Sequence, residues 1–180
     1  MTSETDRLAL LLLARTAIIA HVGGLPAPSP ALDGVFARRG AAFVTLLGDD
    51  GSLRGCIGHL DATQPLGRVI ERCAVSASSQ DPRFAAVESS EIDWLRIEVS
   101  LLGPMEPISS PAEIEIGRHG IVVERGRHRG LLLPQVATEW QWDVPTFLAH
   151  TCRKAGLPDD AWKDGATLWR FEAEVFGEGA

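Results

Sequence analysis

The order of the secondary-structure signals constrains the fold of this chain most, because a hairpin, a helix and a strand occur twice in it. The first set covers about residues 42–102 and the second about residues 114–176. Strands and helices mixed in this order are typical of an α+β fold. We therefore predict an α+β fold in which two related halves share one sheet with flanking helices. A ligand is expected in the cleft where the halves meet.

The first half contains the clearest local signals. Residues 42–47 and the stretch that begins at Leu53 read as strands, joined by the turn sequence Gly48-Asp49-Asp50-Gly51. Residues 95–102 alternate between apolar and polar side chains, which predicts a half-buried strand. Residues 65–79 predict a helix. Its apolar face comprises Leu66, Val69, Ile70, Cys73, Ala74 and Ala77.

The rest of the chain is assigned from caps and apolar runs. Ser3 or Thr5 is predicted to cap a first helix that ends near His21. One apolar face of that helix is predicted to comprise Leu8, Leu11, Leu12, Ile18 and Ile19. In the second half, Asp143 is predicted to cap a helix over residues 144–155. The predicted strands of this half are residues 114–116, 121–124, 131–133 and 169–176.

The domain prediction follows from this order of elements. Residues 1–180 are predicted to form a single domain, which is divided into three parts. These are an N-terminal helical part (1–41), a first half that contains Cys56 (42–104) and a second half (105–180).

Composition narrows the class of protein. The net charge of −7 argues against a non-specific grip on nucleic acid. The three cysteines are far apart and odd in number, so they read as reduced thiols of a cytosolic protein. The apolar run from Leu8 to Ala14 is too short to span a membrane and lacks the features of a signal peptide. We therefore expect a cytoplasmic protein with neither a nucleic acid nor a membrane as its partner.

The stretch Leu53-Arg54-Gly55-Cys56-Ile57-Gly58-His59-Leu60 predicts a site. Two glycines around a thiol indicate that the backbone comes close to another group. A thiol becomes nucleophilic as a thiolate, which a nearby cation favours. On an extended strand Arg54 shares a face with Cys56, whereas His59 faces the other way unless Gly58 bends the chain. The alternative is a cysteine that only fills buried space.

Metal and cofactor sites find no support in the sequence. Zinc at Cys56 and His59 would need further ligands, and Cys73 and Cys152 lie on apolar faces of predicted helices. We therefore predict no metal. The chain also lacks a Walker loop, a dinucleotide-binding G-x-G-x-x-G, a G-x-S-x-G elbow and an H-E-x-x-H helix. No cofactor is predicted.

Two further residues are candidates for the site. His119 lies between Gly117 and Gly120, at the start of a strand in the second half. It is either an acid/base partner for Cys56 or a hydrogen-bonded structural histidine. Arg83 follows the turn Asp81-Pro82 and either binds an anionic ligand or only ties the turn to Asp81.

Several motifs in order resemble the AMMECR domain family, over nearly the whole chain. They are residues 53–58, Asp81-Pro82-Arg83-Phe84, His119-Gly120-Ile121, Leu132-Leu133-Pro134-Gln135-Val136, Ala161-Trp162-Lys163 and residues 170–176. The resemblance implies an α+β fold whose halves form one barrel-like mixed sheet. It also implies that the protein is component A of an AmmeMemoRadiSam system, with a Memo-like protein and a radical SAM enzyme as partners.

The same resemblance implies an active or binding site in the hexapeptide. Cys56 and His119 are then the catalytic candidates, and the binding candidates are Arg54, Gly55, Gly58, His59, Arg83 and Gln135. Two residues depart from the common family pattern, since His59 stands where many members have threonine and Trp169 replaces a common tyrosine. The expected function is thiol-dependent chemistry or binding of a small anionic ligand. The alternative is a non-catalytic docking component for one of the two partners.

Overall fold

The fold is described from a computed structural model that covers residues 2–30 and 32–179. The chain forms two compact units. The first unit comprises the residues before Gly103 together with those from Glu174 onward. The second unit comprises Gly103–Ala173. Each unit has its own hydrophobic core.

The first unit contains three helices and a small sheet. Its elements are α1 (Glu4–Val22), α2 (Gly34–Ala37), β1 (Ala41–Leu47), β2 (Leu53–His59), α3 (Leu66–Ser79), β3 (Arg96–Leu102) and the last part of β7 (Thr167–Gly177). Strand β1 pairs antiparallel with both β2 and β3, and β7 follows β3 in the sheet. A 3₁₀ turn at Ser89–Glu91 precedes β3.

The predicted elements of this unit are largely confirmed. β1 and β2 form the expected hairpin, in which Thr45 is opposite Cys56. All six apolar residues predicted on the inner face of α3 are buried. β3 buries Ile97, Val99 and Leu101, as its alternation predicts, but Ser100 on the predicted polar face is buried as well. Ser3 caps α1, since its side-chain oxygen accepts a hydrogen bond from the Asp6 amide.

The predicted inner face of α1 is wrong in part. Leu11 and Ile18 are buried, but Leu8, Leu12 and Ile19 are 61%, 67% and 45% exposed. The buried side of the helix also contains the small residues Ala14 and Ala17, which are fully buried. Apolar residues surround most of α1, so their spacing did not identify the packed side. The small side chains allow close packing, and the face of α1 that contains them is therefore the face that packs on the core.

The second unit combines an antiparallel sheet with two helices. Its elements are β4 (Glu106–Ile108), β5 (His119–Arg125), β6 (His128–Leu132), α4 (Pro134–Glu139), α5 (Val144–Lys154) and the first part of β7. β4 and β5 both pair antiparallel with β7, and β6 pairs antiparallel with β5. The Asp143 carboxylate accepts a hydrogen bond from the Thr146 amide and caps α5, as predicted.

Three assignments in this unit differ from the sequence prediction. Residues 114–116 are not a strand, because they follow a capped 3₁₀ turn at Pro111–Glu113. β4 was not predicted, since Pro107 lacks the amide hydrogen that a central strand needs. Pro107 nevertheless lies in β4, which pairs antiparallel with β7. The short helix α4 was also missed, although Pro134 at its first turn is a favourable start.

The α+β class and the hairpin, helix and strand of each half are confirmed. The division of residues 1–180 at 41 and 104 within a single domain stays a prediction. Over residues 2–30 and 32–179, no helix has both the length and the apolar character that crossing a membrane requires.

Candidate functional site

Gly55 and Gly58 make room for other parts of the same unit. A Cβ atom at Gly55 would lie 2.2 Å from the carbonyl oxygen of Ala77 in α3. A Cβ atom at Gly58 would lie 2.2 Å from the ring of Phe43 on β1. The expected close approach is therefore present at both glycines, and it has a packing reason. Ligand binding by Gly55 and Gly58 stays a prediction.

The Cys56 thiol is half-buried on the face of β2 that does not pack on α3. The Thr45 hydroxyl, directly opposite on β1, donates a hydrogen bond to Cys56 Sγ at 3.3 Å. The side chain is thus neither sealed in hydrocarbon nor fully exposed, and a polar group from a second strand orients it.

A buried carboxylate links Cys56 to Arg83. Asp81 Oδ2 accepts a hydrogen bond from the Cys56 amide at 2.9 Å and one from Arg83 Nη2 at 2.7 Å. Asp81 Oδ1 accepts a further hydrogen bond from Arg83 Nε at 2.9 Å. The Asp81 side chain is only 2% exposed. The hydrogen bond from Arg83 is the main reason that the pKa of Asp81 lies far below its usual range, although burial opposes this shift.

Arg83 combines a fixed position with an accessible charge. Its tie to Asp81, one of the two alternatives predicted from sequence, is present. The Arg83 side chain nevertheless remains 54% exposed. The hydrogen bond with Asp81 raises the pKa of Arg83 above its ordinary value, and the charge of Cys56 adds to this rise. Arg83 is therefore a permanent cation that Asp81 links to the Cys56 amide, and it has N–H groups that Asp81 does not use.

Arg54, the cation favoured from sequence, is engaged elsewhere. Its Nε and Nη2 atoms donate to the two carboxylate oxygens of Glu91 at 2.8 and 3.0 Å. Its Nη1 atom donates to the Ala85 carbonyl at 2.8 Å. The hydrogen bond from Arg54 lowers the pKa of Glu91. This bidentate pair holds the segment before β3 against β2, and a role of Arg54 in ligand binding stays a prediction.

His59 lies on the other face of β2 from Cys56. Together with Ile57 it lines a small cavity of about 80 Å³ against α3, and Cys73 is on the opposite wall. β2 remains paired with β1 as far as His59, so Gly58 does not turn the imidazole toward the thiol. His59 Nε2 is buried without a hydrogen-bond partner. Its predicted role in binding stays a prediction.

The other two thiols have different environments. Cys73 and Cys152 are both buried. Burial raises the pKa of Cys73 to about 11 and also raises the pKa of Cys152. Their thiolates are therefore disfavoured at neutral pH. Among the residues that the structure describes, no three histidine, cysteine or acidic side chains are grouped as a metal site.

His119 and Gln135 belong to the second unit. His119 is 7% exposed, and its Nδ1 atom accepts a hydrogen bond from the Glu115 amide at 3.0 Å. Burial, and then the charges of Arg170 and Arg118, lower the pKa of His119. Gln135 lies in the first turn of α4, and its Oε1 atom is buried without a partner. Catalysis by His119 with Cys56 and ligand binding by Gln135 stay predictions.

Sequence reasoning missed the residues that orient the thiol. Thr45 was assigned only to a strand, and a β-bulge after Leu46 shifts the register that would reveal it as the partner of Cys56. Asp81 was considered only as a partner of Arg83. Its hydrogen bond to the Cys56 amide spans 25 residues. No local signal predicts a contact over that separation.

Comparisons with known proteins agree with the motifs. The AMMECR1 family model matches residues 11–176. A protein of Methanothermobacter thermautotrophicus is 46% identical over 186 residues, which cover 98% of this chain and 96% of that protein. Protein MJ0810 of Methanocaldococcus jannaschii is 46% identical over 152 residues, which cover 80% and 76%.

A solved structure is similar over the same region. The crystal structure of the uncharacterized protein PH0010 from Pyrococcus horikoshii superposes with a TM-score of 0.89 at 39% sequence identity. The similarity covers 95% of this chain and 90% of that one. Both the sequence matches and the fold therefore lead to one conclusion: this chain belongs to the AMMECR1 family.

Proposed function

We propose that Cys56, Thr45 and Arg83 form a site that binds a small anionic ligand and supports thiol-dependent chemistry on it. One observation carries the proposal. The buried Asp81 carboxylate holds the Arg83 guanidinium beside the Cys56 backbone but leaves the guanidinium half exposed.

The charge of Arg83 suits a carboxylate or phosphate ligand. A guanidinium has five N–H groups, and Asp81 uses only one edge of the planar group. The remaining N–H groups are free to bind a second anion. Because Asp81 already fixes the side chain, binding an anion costs little additional side-chain entropy.

The thiol has the features of a nucleophile with a nearby cation. Thr45 donates to Cys56 Sγ, and Asp81 links the Arg83 guanidinium to the Cys56 amide. In the reaction, Sγ forms a bond to an electrophilic carbon of the ligand and the bond from that carbon to its leaving group breaks. The thiol proton passes to the solvent, and the leaving group departs with the bonding electrons.

Alkylation by two reagents of different charge tests the proposal. Iodoacetate is an anion and iodoacetamide is neutral, but both transfer a carbon to sulfur and release iodide. The labelling rate of Cys56 is measured at neutral pH by mass spectrometry of its peptide, and Cys73 and Cys152 are internal controls. We expect Cys56 to be labelled much faster than the two buried thiols.

The ratio of the two rates isolates the effect of Arg83. In Arg83→Gln we expect the rate with iodoacetate to fall about threefold to tenfold more than the rate with iodoacetamide. Arg83→Lys keeps the charge and retains part of the preference for iodoacetate. Arg127→Gln makes the same change in charge at an exposed turn in the other unit and leaves the ratio unchanged. Circular dichroism confirms that each variant is folded.

Two results would overturn the proposal. One is labelling of Cys56 no faster than that of a free thiol, and the other is a rate ratio that does not respond to Arg83. Either result would favour the alternative, a non-catalytic docking component. The association with a Memo-like protein and a radical SAM enzyme stays a prediction in both cases.

A further inference from the structure

The second unit contains a cavity of about 820 Å³ that the site around Cys56 does not use. Its walls come from the loop after β3, the start of β4, the Pro111–Glu113 turn and the residues that follow it, the start of β5 and the middle of β7. All of these residues belong to Gly103–Ala173. The volume is within the range of about 300–1,000 Å³ that is usual for small-molecule sites.

The charged residues of the cavity wall are mostly acidic. Four glutamates and two arginines line it. Arg118 donates to Glu172 at 2.8 Å and to Glu115 at 3.3 Å, and Arg170 donates to Glu106 at 3.1 and 3.2 Å. The two guanidinium groups are thus already paired, and the wall retains an excess of negative charge.

The three paired carboxylates are also accessible. The side chains of Glu106, Glu115 and Glu172 are 59%, 64% and 60% exposed. Exposed ion pairs of this kind contribute little to stability. The carboxylates are therefore available to a ligand at little cost in stability.

A buried histidine gives the cavity a hydrogen-bond donor. His119 lines the cavity although the residue is only 7% exposed. Its Nδ1 atom accepts the hydrogen bond from the Glu115 amide, so the neutral ring carries its proton on Nε2. Among the described residues, none forms a hydrogen bond with Nε2, and the side chain lies in the cavity wall. An N–H group that is held in place and has no partner requires an acceptor from a ligand or from water.

We propose that this cavity binds a small ligand that carries both a primary ammonium group and a hydrogen-bond acceptor. The ammonium group lies against Glu172 and Glu115, which share the single guanidinium of Arg118 and so retain a net negative charge. The acceptor binds His119 Nε2–H. The inference does not rest on Cys56, because every residue it uses belongs to the second unit.

Three probes of equal chain length test the two parts of the ligand separately. Butylamine carries only the cation, butyrate only the anion, and 4-aminobutyrate carries both. Each is titrated into the full chain labelled with ¹⁵N-histidine, at constant ionic strength, up to about 20 mM, which detects affinities in the millimolar range. The His119 ring signals and the backbone amide signals of the second unit are followed by NMR.

We expect 4-aminobutyrate to bind at least as tightly as butylamine, and both to bind at least about threefold more tightly than butyrate. The Nε2 signal of His119 should shift more with 4-aminobutyrate than with butylamine, because only the former supplies an acceptor. In Glu172→Gln the affinity for butylamine should fall about threefold. Glu139→Gln, an exposed change at the end of α4, should leave it unchanged.

Three outcomes would overturn the inference. They are equal or tighter binding of butyrate, an unchanged affinity for butylamine in Glu172→Gln, and the absence of any shift with all three probes. Because the readout does not involve Cys56, its failure is distinguishable from failure of the alkylation test.

Discussion

The hairpins β1–β2 and β5–β6 share a packing device, a strand glycine that lets a helix come close. They differ in the residue that follows this glycine. In the first unit, Gly55 on β2 allows the end of α3 to approach, with the Ala77 oxygen 2.2 Å from a Cβ position. In the second unit, Gly130 on β6 does the same for α5, with the Thr151 oxygen at 2.6 Å. Both glycines precede the residue that projects from the other face of the strand.

That next residue is where the hairpins diverge. After Gly130 comes Leu131, an apolar side chain that is 4% exposed. After Gly55 comes Cys56, which is half-buried and hydrogen-bonded to Thr45 and Asp81. The comparison teaches that glycine at this position meets a requirement of the fold and is not itself evidence of a ligand. The polar group of Cys56, Thr45, Asp81 and Arg83 goes beyond what packing requires.

The glycines should give the largest effects if the packing device is shared. Gly55→Ala and Gly130→Ala each place a methyl group inside contact distance of backbone atoms that belong to a helix. We expect each change to lower the free energy of unfolding by about 3 kcal/mol. Urea denaturation followed by tryptophan fluorescence measures the loss.

Gly177→Ala provides the matched control for the glycine changes. This glycine is also in a strand, but its nearest contact for a Cβ atom is an ordinary 3.4 Å. We expect a change of less than about 1 kcal/mol. A loss at Gly130 as small as the loss at Gly177 would show that the two hairpins do not share the device.

The residues after the two glycines should differ in their contribution to stability. Leu131→Ala removes a buried side chain and should cost about 2–3 kcal/mol. Cys56→Ala removes a half-buried thiol and should cost less than about 1 kcal/mol. The same urea experiment measures both variants. Equal losses would indicate that Cys56 serves packing, as Leu131 does.

Asp81→Asn should have an intermediate effect that depends on pH. The change weakens a buried ion pair and should cost about 2 kcal/mol at neutral pH. The folded pKa of Asp81 lies below its unfolded value of about 3.9. The stabilisation by the carboxylate is therefore present above about pH 4 and is lost as the pH falls further.

Urea midpoints of the wild type and Asp81→Asn at neutral and at acidic pH measure this dependence. The difference between the two proteins should narrow as the pH falls below about 4. Asp33→Asn, a change at an exposed residue before α2 whose side chain makes no capping hydrogen bond, controls for a general effect of carboxylate removal. A constant difference at all pH values would contradict the role of Asp81.

The smallest effect concerns the buried imidazole of the second unit. Because burial lowers the pKa of His119, its NMR titration should have a midpoint below the ordinary value of 6.5. The folded protein then binds this proton less readily than the unfolded chain does. Its contribution to stability is present above the unfolded pKa and is lost as the pH falls from that value through the lower folded pKa. A midpoint at or above 6.5 would contradict the burial of a neutral ring.

Much of the local structure could be predicted because its causes act over a few residues. The apolar rhythm of α3, the alternation of β3 and the caps at Ser3 and Asp143 all involve neighbours within one or two turns. The helix α1 shows the limit of such reasoning. Its apolar residues occupy several faces, so the packed face depends on which side fits the rest of the core.

The candidate site could be predicted in part. Cys56 and Arg83 were recognised from glycine spacing and turn chemistry. The partner of Arg54 and the contact between Asp81 and Cys56 were not. Arg54 pairs with Glu91, 37 residues away, and Asp81 reaches the Cys56 amide over 25 residues. The choice of partner for a charged side chain depends on which groups the folded chain brings within about 3 Å.

The sequence by itself determined where the helices and most strands lie, and that a thiol lies between two glycines on a return strand. These features follow from backbone preferences and short-range periodicity. The tertiary structure alone decided that Asp81 links Arg83 to the Cys56 amide and that glutamates from separate segments line the cavity that contains His119. The physical reason is that hydrogen bonds and ion pairs need groups in contact, and distant segments come into contact only in the folded chain.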